Sequence, residues 1–92
     1  MCRNIRVLHH FQPPTTPDEI RAAALQYVRK VAGVTKMPSE GTSAKELERA
    51  IAAVTAATTR LLEKLPEKGE PRTREGEKAR AKKRWQTREI RI

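Results

Sequence analysis

The chain has 92 residues, of which 37% are hydrophobic, 3% aromatic and 34% charged, with a formal net charge of +9. That length allows one domain at most, and its core must be thin, aliphatic and alanine-rich. The lone cysteine excludes an internal disulfide, and no apolar run reaches the roughly 18 residues that a membrane-spanning helix needs.

The opening stretch, MCRNIRVLHHF, alternates loosely, with Ile5, Val7, His9 and Phe11 on one side and Arg6, Leu8 and His10 on the other. With no strong second strand to pair with, it is expected to lie extended across helices, anchored by Phe11. It is too short and polar for a secretory h-region, so a soluble, cytoplasmic protein with no membrane partner is expected. Gln12-Pro13-Pro14 then holds the chain extended.

Thr16 to Gly33 carries a full set of helix signals. Thr16 is an N-cap, Pro17 suits the first helical position, and Glu19 completes a capping box while opposing the helix dipole. Arg29 and Lys30 fall near the end, and Gly33 can take the left-handed stop conformation. The spacing predicts a helix over about 17–32 with Ile20, Ala24, Tyr27, Val28 and Val31 on one face.

The connection VTKMPSEGTS contains Pro38 and Gly41, and Val34 and Met37 can tuck beneath it. Ser43 and Glu46 form a second capping-box pattern, predicting a helix over about 44–65 that Pro66 stops. Leu47, Ile51, Val54, Thr58, Leu61 and Leu65 make its stripe, widened by Ala50, Ala57 and Leu62. The expected fold is all-α: an antiparallel helical hairpin with an extended N-terminal arm and a basic, helical C-terminal segment. The domain reading is 1–66 as hairpin and arm, 67–77 as a polar linker, and 78–92 as the basic segment.

Charge is concentrated at the end of the chain. Residues 71–92 hold nine basic and three acidic residues, whereas residues 12–70 hold nine and eight. If helical, Lys78, Arg80, Lys82, Lys83, Arg84 and Arg88 surround a cylinder with positive charge, for which a phosphate backbone is the natural counter-ion. Trp85 can stack on a base or, as the more usual fate of a large side chain, pack on the hairpin. Arg3 and Arg6 add charge at the other end.

Met-Cys-Arg-Asn-Ile at the start, Phe11-Gln12-Pro13-Pro14, and the run from Glu19-Ile20-Arg21 to Val28-Arg29-Lys30 together resemble a bacterial family of small proteins. It is catalogued as domain of unknown function 2277. The resemblance spans roughly residues 1–65 and continues more loosely beyond. It implies no activity, cofactor or site residue. The ending Thr87 to Ile92 departs from the Ala/Arg-rich tails of the family.

Catalytic chemistry has little to build on. Cys2 with His9 or His10 supplies the residue types of a thiol nucleophile or a soft-metal site. However, extended chain separates Cys2 from His9 by more than about 20 Å, and paired ligands at short spacing are absent. These three residues are weak metal candidates only, and neither catalysis nor a cofactor is expected. The expected function is nucleic-acid binding, to structured RNA, the ribosome or DNA, through Lys78, Arg80, Lys82, Lys83, Arg84, Trp85, Arg88, Arg3 and Arg6. The alternative is a helical interaction module that docks a protein partner or a second copy through the hairpin; a thiol or metal site is third.

Overall fold

The computed structural model describes residues 4–90, with side chains through residue 85. Three helices follow one another: α1 (Pro17–Ala32), α2 (Thr42–Lys64) and α3 (Arg74–Ile90).

Helix α1 begins and ends as its local signals require. Thr16 is extended and accepts from the Glu19 N–H, Glu19 returns a bond from the Thr16 N–H, and Gly33 stops the helix at φ 70°. Ile20, Ala24 and Val28 are buried at i, i+4 and i+8. That ridge drifts toward Leu25, which packs on the core, and so leaves Tyr27 (49% exposed) and Val31 (67%) outside it. The expected five-residue face is therefore narrower than its periodicity suggested.

Helix α2 starts earlier than expected and without the predicted capping box. Gly41 supplies the cap at φ 97° with no side-chain bond, so Thr42 and Ser43 are already helical. Glu46 instead lies 3.5 Å from Arg49. Gly41 can take this positive φ because it has no Cβ, and it turns the chain directly into the helix. At the far end Leu65 is extended, the conformation that Pro66 imposes on its predecessor.

α1 and α2 pack as a hairpin around Ile51, which is fully buried, with Ala24 and Val28 against it. Leu47, Ala50, Val54, Leu25 and Met37 close around these three. Burial of this kind is worth about 1.5–3 kcal/mol for each large aliphatic side chain. The stripe of α2 runs out toward its end, where Leu61 and Leu65 are exposed. Thr55 and Thr59 donate to the carbonyls of Ile51 and Thr55, so their hydroxyls are satisfied inside the helix.

The arm lies across these helices, but not with the alternation expected. Leu8 and Phe11 are buried while Ile5 and Val7 are exposed. A regular strand would put Leu8 and Phe11 on opposite faces; His10 at φ 60° breaks that regularity. Asn4 and Ile5 donate their N–H groups to Gln26 Oε1 at 2.8 and 3.2 Å. Farther on, Thr15 donates to the Leu8 carbonyl.

The stretch expected as a linker is part of the scaffold. Arg72 pairs with the arm as a single parallel bridge: its N–H reaches His10 O at 2.7 Å, and its carbonyl accepts from Gln12 N–H at 2.9 Å. Its guanidinium adds a 2.7 Å bond to His9 O. Thr73 then caps α3, accepting from the Gly76 N–H at 2.9 Å. The C-terminal helix therefore starts at Arg74, four residues before the basic run.

Candidate nucleic-acid interface

The foot of α3 is fixed by one carboxylate. Glu19 already serves the start of α1, accepting from the Thr16 N–H at 2.9 Å. Arg74 lies alongside it in bidentate fashion, Nη2 to Oε1 at 2.7 Å and Nε to Oε2 at 3.1 Å. Arg6 reaches Oε2 at 3.0 Å. The guanidinium of Arg74 also donates to the carbonyls of Pro13 and Pro14 and lies 5.4 Å over the Phe11 ring. Hydrogen bonds from Arg74, then from Thr16, then from Arg6 hold the Glu19 carboxyl well below the usual carboxylate range. The same pairing raises Arg74 above its ordinary value.

Beyond this foot, α3 leaves the scaffold. Among the described residues, no Cα of α3 comes within 8 Å of α1 or α2. Every residue from Lys78 to Trp85 is exposed, Trp85 by 51%. Eight successive exposed positions cover more than two turns, so no side of the helix is buried there. Trp85 is half exposed and takes no part in the buried cluster of the hairpin. Lys78, Lys82 and Trp85 fall at i, i+4 and i+7 on one side, with Arg80, Lys83 and Arg84 distributed around the remainder. Two carboxylates of this helix, Glu75 and Glu77, sit near its start and the third, Glu89, near its end; Glu77 lies 3.7 Å from both Arg72 and Arg80.

Five basic candidates and Trp85 are thus brought together on one helix. Arg6 stands apart at its foot, engaged with Glu19. Arg88 falls in the helical backbone, but its side chain lies outside the described ones, and Arg3 and Cys2 lie outside the described residues altogether.

The histidines serve the arm. His9 Nε2 lies 3.3 Å from Leu65 O, and His10 lies 2.9 Å from Gly69 O and 3.0 Å from Glu67. Among the described residues, no three His, Cys, Asp or Glu side chains converge as a metal site would require. Nor is any described helix long and apolar enough to cross a membrane.

The residues that sequence reasoning missed are Arg72 and Arg74, which fix the start of α3 against the arm and α1. Their partners are backbone carbonyls and a carboxylate more than 50 positions away, so no local pattern marks them. The Thr73 cap was the one available signal.

The family profile described as an uncharacterized conserved protein of domain of unknown function 2277 matches residues 1–80. The chain belongs to that family. The match takes in the hairpin, the arm and the Glu19–Arg74 foot, and ends inside α3. Lys82, Lys83, Arg84, Trp85 and Arg88 therefore lie past the part of the chain matched to the family. No curated protein and no solved structure matches the chain.

Proposed function

We propose that the protein binds nucleic acid through the phosphates, with α3 as the binding element and the hairpin as its mount. One observation carries this reading: residues 78–85 form a helix exposed on all sides, with five cations and no carboxylate. A helix that is polar all round gains nothing from burial and needs another source of stability. Lys78 and Lys82, and likewise Arg80 and Arg84, are like charges at i, i+4, which oppose the helix. A polyanion removes that repulsion and releases its own condensed counter-ions, which supplies the affinity.

The test is a titration of the full chain against mixed RNA and DNA at several salt concentrations. The expected plot of log affinity against log salt has a slope of about −3 or steeper. Removal of residues 78–92 should abolish the binding while leaving Arg72, Arg74 and the foot of α3 in place. A salt-independent affinity, or undiminished binding by the shortened chain, refutes the proposal. The protein's location in the cytoplasm belongs to this same reading.

A further inference from the structure

Building on that reading, we infer that the nucleic acid is B-form duplex DNA and that α3 lies in its major groove, with its cations spread to both flanking backbones.

The first argument is shape. Seventeen residues of helix make a rod about 25 Å long and, with side chains, about 10–12 Å across. The major groove of B-form DNA is about 12 Å wide and admits such a rod, whereas the deep, narrow major groove of A-form RNA does not. This helix is exposed around its whole circumference from Lys78 to Trp85, and its anchoring contacts lie at Arg74 and before.

The second argument is the placement of charge. A helix lying on one strand, or flat against a surface, uses the cations of one side only. Here cations occur on two opposite sides, Lys78 and Lys82 on one and Arg80 and Arg84 on the other, with Lys83 between them and Ala81 and Trp85 on the remaining face. A groove presents phosphates on both sides of an inserted rod, which matches this distribution.

The third argument concerns what is missing for single strands. Proteins that hold unpaired nucleic acid stack successive bases on several aromatic rings. The chain has one Phe, one Tyr and one Trp; Phe11 is buried, Tyr27 is on α1, and only Trp85 lies among the cations. One ring is not a stacking platform. Asn and Gln, the usual readers of adenine, are absent from residues 78–85, so any contact to base edges from this stretch falls to the cations, Arg80 and Arg84 toward guanine above all.

The experiment compares one sequence as a 20-base-pair DNA duplex, as the corresponding RNA duplex, and as single-stranded DNA, all against the full chain. The DNA duplex should bind at least about tenfold tighter than either of the others, with a salt slope near −4 because both flanks are engaged. Dimethyl sulfate should find guanine N7, in the major groove, protected and adenine N3, in the minor groove, unprotected. Ala81→Pro keeps every cation but interrupts the helix, and it should weaken duplex binding about tenfold with the hairpin still folded. If the three nucleic acids bind equally, or if Ala81→Pro binds as the unaltered chain does, the groove inference falls while phosphate binding stands. If RNA duplex is preferred, the partner is RNA and the inference is wrong. If none binds, both readings fail together.

Discussion

Replacing Glu19 with glutamine separates the two duties of that side chain. Glutamine still offers an oxygen to the Thr16 N–H, so the start of α1 keeps its cap. What is lost is the charge that faces Arg74 and Arg6. The geometry bounds the effect. The carboxylate side chain is 19% exposed and its arginine partners 33% and 39%, between a surface pair worth about 0–1 kcal/mol and a buried one whose disruption costs about 3–5 kcal/mol. Water at the rim screens both guanidinium groups, which places Glu19→Gln at about 1 kcal/mol of lost stability. For a chain of this size that lowers Tm by about 4–8 °C. The dependence on pH has a definite sign. Because the folded carboxyl lies below its ordinary value of 4.5, its contribution is complete above that pH and fades as pH falls below it. Thermal unfolding of both chains followed by circular dichroism at pH 7 and pH 3 measures this directly. The gap in Tm should be largest at pH 7 and smaller at pH 3. A gap that is absent at pH 7, or equally large at both, would show that the charge of Glu19 does not hold the foot of α3.

Three further substitutions probe the scaffold. Ile51→Ala empties the centre of the only buried cluster that joins α1 to α2 among the described residues, and chemical denaturation should record a loss of about 3–4 kcal/mol, enough to leave the chain close to unfolding. Gly33→Ala places a Cβ at φ 70° with no atom within 4 Å, so its cost is purely conformational, about 1 kcal/mol, read in the same way. Gly76→Ala meets the opposite situation: an exposed helical glycine normally gains about 1 kcal/mol on this change, but here the new Cβ falls 2.8 Å from the hydroxyl that caps α3. Helix content at 222 nm should therefore not rise.

How far the sequence reveals this molecule depends on the range of each interaction. Both ends of α1 are legible because Thr16, Pro17, Glu19 and Gly33 act within one turn of where they stand. The hairpin follows from the same local logic, since Ile51 and its neighbours recur at helical spacing. The start of α2 misleads because Ser43 and Glu46 have the capping pattern, yet the cap position is taken by Gly41 two residues earlier, at a positive φ. The arm and residues 71–74 are illegible for a different reason. They are joined by backbone hydrogen bonds and by Arg72 and Arg74 across some sixty positions, and such pairing leaves no periodicity. Of the interface, the cations were plain from composition. That Trp85 stands among them half exposed was not, because its exposure depends on where the helix lies and not on the local sequence.

The bridge between Arg72 and the arm also determines when the molecule can be completed. The arm is made before the hairpin, but its partner is made some sixty residues later. Until Arg72 and Arg74 emerge, Phe11 lacks the guanidinium that lies over it and Glu19 lacks its bidentate partner. The hairpin is made before Arg72 and Arg74, so the seam between the arm and residues 72–74 closes only after both helices of the hairpin have been synthesised. The basic helix follows directly on that seam, so it is mounted on the hairpin only once the seam has been made.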